Sequence, residues 1–257
     1  MLEQMLDFLV YFFSYPSVLG IGLALIFAAI WLAIYRPPLF KEPWLWAVMA
    51  GSAVLTPLAL GITAFPVSTW ITQLYRVWLG QQVFQQWILL AGLLPLLVAG
   101  LVQIGFMLVP VVIFWWRRNK ELTPSLGLAA GAVAGAGFGI LEAQWVHNMI
   151  LAGGFTWDTV QSYGVISLSL FWGRFFLIGW TIGVCALAGW GLAKGKGWQF
   201  YLLASFLFVL LNYTEYLVGQ GLIEPVIGYL IVTIWALLVT GAALWLSMRK
   251  EKSGPSR

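Results

Sequence analysis

Apolar positions along this chain do not alternate with polar ones. They run in unbroken blocks of about 20 residues or more, the length a helix needs to cross ~30 Å of hydrocarbon. The blocks cover residues 17–35, 44–65, 87–116, 125–150, 163–193, 198–219 and 225–248. What separates them is abrupt. Pro37, Pro38 and Pro43 forbid a helix from continuing through RPPLFKEP. Arg117, Arg118, Asn119 and Lys120 end the third block, and Lys194, Gly195, Lys196 and Gly197 end the fifth. Residues 1–16 mix Phe, Leu and Tyr with two acids and stop at Pro16, a pattern that predicts a short interfacial helix. Residues 66–86 carry Gln73, Arg76, Gln81, Gln82, Gln85 and Gln86, too polar to span, and read as a surface segment. Residues 153–162 read as a short polar connection. Pro57 is expected to kink the second span unless neighbours satisfy the freed carbonyl, and Pro95 and Pro110 to break the third.

This pattern predicts an all-α, polytopic membrane helical bundle of about seven transmembrane helices. Residues 17–248 form a single bundle and residues 249–257 a charged cytoplasmic tail. Composition agrees: 61% of residues are hydrophobic and only 9% charged, where a soluble domain carries about 25%. The 16 Trp and 17 Phe suit aromatic belts at both interfaces. Lys and Arg settle the orientation, because all of them except Arg76 and Arg174 follow odd-numbered blocks. By the positive-inside rule the N-terminus lies outside and the C-terminus in the cytoplasm. The N-terminus lacks the basic region of a cleaved signal peptide and is expected to remain. The +4 net charge is scattered over separate turns, so no nucleic acid partner is expected. One Cys and one His leave no thiolate cluster, and neither a metal site nor a cofactor is expected.

Candidate chemistry lies in the few polar side chains inside the spans. Residues 125–150, SLGLAAGAVAGAGFGILEAQWVHNMI, place Gly131, Gly135 and Gly139 four apart, a face that lets another backbone approach closely. The same helix carries Glu142. A carboxylate in hydrocarbon costs roughly 2.5–3.5 kcal/mol on insertion scales, so Glu142 is expected to face protein or a wet cavity, either as a functional acid or as the partner of a buried base. At ~1.5 Å per residue, Glu142, Arg174 and Glu215 fall at similar depth in the outer half of the membrane. Arg174 cannot shed its proton and needs a counter-ion, predicted to be Glu142 or Glu215. Asn212 shares a helix face with Glu215, either lining a pocket with it or bonding a neighbouring helix. Its Asn-Tyr-Thr sequon lies within a span and is discounted. His147, five residues past Glu142 and so ~140° around the helix, reads as an interfacial histidine bonded to water or a carbonyl.

From Ala99 the segments AGLVQIGFM, WWRRNKELTP, GAGFGILEA, WGRFFLIGWT and FVLLN follow in an order and spacing that resemble the CAAX protease superfamily of intramembrane proteases, in particular its PrsW and YhfC branches. In that group one span carries EExxR or EExxK. A basic loop and a glycine-rich GxGFxxxE helix follow, and later spans supply Arg, His and Asn or Asp. Over roughly 115 residues the resemblance implies the same bundle in a bacterial or archaeal cell membrane. Glu142, Arg174 and Asn212 match the motif. The paired carboxylates are replaced by Gln103 and Ile104, the following base by Met107, and the histidines by Phe138, by a residue near Thr181, and by Phe208. Gln103 cannot act as a general base. The resemblance therefore implies a catalytically silent scaffold or substrate-binding module, a pseudoenzyme with Glu142, Arg174, Asn212, Glu215 and Gln103 as its polar site. Its partners would be membrane lipids and a membrane protein or peptide. Two alternatives stand beside it: an active intramembrane protease using Glu142 and Glu215, and a transporter or channel lined by Glu142, Arg174, Asn212 and Glu215.

Overall fold

A computed structural model describes residues 2–63, 67–118 and 121–248. The charged tail 249–257, Lys120 and the stretch 64–66 lie outside the described residues, as do the side chains of Gln81, Gln82, Gln85 and Gln86. The described residues are helical, without a strand. In chain order the helices are α1 (Leu2–Phe12), α2 (Val18–Tyr35), α3 (Trp44–Ile62), α4 (Ser68–Gln86), α5 (Ile88–Ala91), α6 (Leu93–Arg117), α7 (Pro124–Ala152), α8 (Trp157–Tyr163), α9 (Ser169–Ala193), α10 (Gly197–Gly219) and α11 (Pro225–Met248). Among the described residues seven stretches are long and apolar enough to cross a membrane, and α4 is not among them. This is the multi-pass bundle the sequence predicts.

Several boundaries differ from the sequence reading, each for a local reason. The third span is interrupted at Gly92, between α5 and α6 and three residues before Pro95, whose missing N–H leaves the Ala91 carbonyl without its helical donor. Pro57 and Pro110 are both carried inside continuous helices. Tyr163 belongs to α8, because the connection after α7 is itself partly helical, with Thr156 and Thr159 forming a reciprocal capping box. Gly164, at φ 75°, then turns the chain into a 3-10 segment, Val165–Leu168, that leads into α9. The polar segment is a helix with a break at Gly80, whose φ of 74° and ψ of 158° are not helical.

α7 and α9 form the centre. Of their apolar stretches, 78% and 83% are buried inside the protein, against 28–39% for the other spans, so those others ring the pair and face outward. The reason is written in glycine. A Cβ at Gly131 would run into the Cys185 carbonyl oxygen, one at Gly135 into that of Thr181, and one at Gly127 would lie 2.5 Å from that of Gly189. The two backbones therefore touch, as small-residue faces permit in the absence of a hydrophobic drive between helices in lipid. Other faces of the pair take α2, where the Trp31 ring packs on Gly179, and α3, where Met49 packs on Gly137. α1 lies across one end, its buried Phe8 and Phe12 rings 5.6 and 5.4 Å from Trp145 of α7.

The basic turns meet at one end of the bundle. Arg118, after α6, bonds Glu42, after α2, at 2.9 Å, and its guanidinium lies 4.9 Å from the Trp44 ring. The turn from α9 to α10 closes on the same side, where Trp115 of α6 and Trp198 of α10 line one groove.

Candidate functional site

Toward the opposite end, three helices each contribute one ionisable side chain to a common point. Arg174 of α9 places Nη1 3.8 Å from Oε1 of Glu142 on α7 and Nη2 3.5 Å from Oε1 of Glu215 on α10. The sequence left open which carboxylate would answer Arg174; both do. The two acids are not equivalent. The Glu142 side chain is 17% exposed and that of Glu215 44%, so one holds the guanidinium from within the bundle and the other from its open side. Neither contact is as short as the ~2.8 Å of a closed charge-assisted pair. A guanidinium carries five N–H donors, so donors remain for a further group.

That further group has room. Arg174 and Glu215 stand on the wall of a half-open cavity of about 280 Å³ between α9, α10 and α11. Gly173 makes the cavity's shape: the Tyr229 ring of α11 lies where its Cβ would be, 2.6 Å from the nearest ring carbon. Gly228 is likewise covered by Val218. Thr214, Val218, Pro225 and Val232 complete a largely apolar lining around the two charges. Thr214 already donates its hydroxyl to the Leu210 carbonyl at 3.1 Å, so the polar character of the cavity comes from Arg174, Glu215 and Tyr229.

The remaining sequence candidates are engaged elsewhere. Gln103, buried on α6, donates Nε2 to the Thr63 hydroxyl at 2.9 Å, and Thr63 in turn donates to the Ala59 carbonyl. It ties α6 to the end of α3. Asn212 donates its amide to the Phe208 carbonyl one turn back on its own helix, at 2.8 Å, and is not part of the cavity wall. Ile104, Met107 and Phe138 are fully buried apolar side chains, and Met107 Sδ lies 3.5 Å from Cys185 Sγ. Among the described residues no three His, Cys, Asp or Glu side chains come together.

His147 lies five residues before the end of α7, against the first turn of α2. It is completely buried, donates Nδ1–H to the Gly20 carbonyl at 3.2 Å, and lies between the Phe27 and Phe171 rings. The carbonyl partner was anticipated and the burial was not. α2 covers this end of α7 because Gly20 has no side chain: a Cβ there would strike Asn148 Oδ1, which accepts from the Ser17 N–H at 3.2 Å. Tyr229 and Gly173 are the site residues that sequence reasoning missed. Their only signals are glycines beside them in sequence, Gly228 before Tyr229 and Gly173 before Arg174.

No protein-family model matches the chain, and neither a curated protein nor a solved structure matches it.

Proposed function

We propose that this multi-pass membrane protein is a non-catalytic binding module, of the PrsW and YhfC kind, that holds a segment of a membrane protein or peptide at Arg174 and Glu215. The observation that carries this reading is a guanidinium held between two carboxylates, with Arg174 and Glu215 on the wall of a largely apolar cavity. Such a pair offers donors and an acceptor side by side. In hydrocarbon a peptide N–H or C=O without a partner costs several kcal/mol, so an unwound membrane segment gains most where both are offered together. Arg174 would donate to its carbonyl and Glu215 would accept from its amide, while Glu142 keeps the guanidinium in place. With the basic turns in the cytoplasm, as the positive-inside rule requires, the site opens toward the outer face of a bacterial or archaeal cell membrane.

The motif positions support binding over cleavage. Gln103 cannot take a proton from water at ordinary pH, and it is bonded to Thr63. The test is a photo-crosslinking residue at Val218, on the cavity wall, in wild type and in Arg174→Gln, with a matched probe at Val54 on the exposed face of α3. An intact membrane polypeptide should be captured at Val218 only, with yield falling about tenfold in the variant, equivalent to ~1.4 kcal/mol. Equal capture at both positions, or an unchanged yield in Arg174→Gln, would remove the binding reading. A captured fragment with a new terminus, lost in Glu142→Gln, would restore the protease.

A further inference from the structure

The bundle carries a second cavity, at the basic end and built to a different rule. It is a groove of about 510 Å³ between α6, α9 and α10. Leu108, Val112 and Ile113 form one side, Leu192 and Tyr201 the other, and Trp198 stands at its mouth. The lining is almost wholly apolar. Its polar side-chain groups are the Tyr201 hydroxyl, which donates to the Leu101 carbonyl at 2.7 Å, and the indole N–H groups of Trp115 and Trp198. Hydrocarbon is the chemistry that fits.

The mouth is different. Gly195 and Gly197 line the groove, and the residues alternating with them are Lys194 and Lys196, both exposed. The turn is well defined. Gly195 adopts a φ of 71°, its N–H donates to the Leu192 carbonyl at 3.1 Å, and the Lys196 N–H donates to the Gly191 carbonyl at 2.8 Å, so the backbone that carries the two lysines is fixed at the end of the apolar slot, with Lys194 Nζ 5.9 Å from the centroid of the Trp190 ring. Exposed Arg117 closes α6 at the same end. Of the acids in the neighbouring turns, Glu42 is bonded to Arg118 and Glu121 is exposed.

We propose that this groove binds an anionic phospholipid, one acyl chain lying between α6 and α10 and the phosphate meeting Lys194 and Lys196. Charge complementarity selects the lipid: an apolar slot accepts any acyl chain, but a mouth carrying two lysines favours a head group with net negative charge. Trp198, 68% exposed at the level of the turn, suits the headgroup region where amphipathic rings settle.

The experiment uses the full chain purified in detergent and exposed to phosphatidylglycerol or phosphatidylcholine, with retained lipid counted by native mass spectrometry. Three proteins are compared: wild type, the double variant Lys194→Gln and Lys196→Gln, and Val112→Trp, which fills the groove from an outward-facing position. Wild type should retain phosphatidylglycerol about tenfold over phosphatidylcholine. The lysine variant should hold both equally, and Val112→Trp should retain neither above the background of an unrelated surface variant, with all three melting alike before lipid is added. Equal retention by wild type overturns the proposal, as does a preference that survives loss of both lysines. Thermal protection by inorganic phosphate alone, matching that given by the lipid, would assign the turn to a soluble anion instead and also overturn it.

Discussion

Toward the Lys194 turn α7 and α9 meet backbone to backbone; toward Glu142 and Arg174 the same two helices meet through ionic side chains. The glycine face ends where the second region begins. A Cβ at Gly131 would collide with the Cys185 carbonyl, whereas one at Gly139, two turns on, would find its nearest neighbour, in Ile178, at 3.4 Å, an ordinary contact. Close backbones leave no volume for ligand. Once side chains with length intervene, the helices can support a charge and, beside it, a cavity. The first region supplies rigidity and the second chemistry, and a single repeat of small residues sets the border between them.

The largest expected effect breaks the first region. Gly131→Ala forces the helices apart along a seam with no flexible side chain to yield, and should destabilise by about 3 kcal/mol, the upper end for overpacking. Gly139→Ala adds the same methyl where there is space and should be neutral, or stabilising by up to about 1 kcal/mol through helix propensity. Thermal unfolding of both variants in one detergent decides it. Equal losses would mean that the seam continues unchanged to the ionic cluster.

Next in size is Arg174→Gln. It leaves Glu142 facing the bundle with no cation, and because the pair is 3.8 Å apart and its side chains are 21% and 17% exposed, the loss should be about 2 kcal/mol, below that of a fully buried pair. Because Glu215 is 44% exposed and can be hydrated, the loss should arise from Glu142, so Glu142→Gln added to Arg174→Gln should recover most of the stability and Glu215→Gln should not. A double-mutant cycle sharpens the same point. Coupling of Arg174 to Glu142 should exceed about 1 kcal/mol, and coupling to Glu215 should fall within the ~0–1 kcal/mol of exposed pairs.

How much of this the sequence announced divides along a physical line. Hydropathy fixes where each helix starts and stops, hence how deep a residue lies; depth alone brought Glu142, Arg174 and Glu215 to one level, and the structure brings them into contact. Rotation about each helix axis is not in that signal. Asn212 and Glu215 share a face by spacing, yet one bonds its own helix and the other the cluster. His147 was placed by its distance from the helix end, and its burial depends on Gly20 of α2, distant in sequence. Tyr229 enters the cavity because Gly173 makes room for it, a pairwise fact invisible in either residue alone. Proline misled at position 110, which α6 carries without a break, because neighbours in a bundle can satisfy the carbonyl it frees.

Asn212→Leu is the smallest and most specific test of where the second region stops. If the polar site extended along α10, losing this amide would weaken whatever Glu215 binds. The amide donates to the Phe208 carbonyl, which belongs to its own helix and keeps its regular partner from α10. A side chain bonded back in this way adds little to the helix that carries it, and an apolar replacement of similar size removes both the donor and its desolvation cost. Stability should therefore change by less than about 0.5 kcal/mol, and capture at Val218 should match wild type. A loss of capture comparable to that of Arg174→Gln would move the border of the site one turn along α10 and make Asn212 part of it.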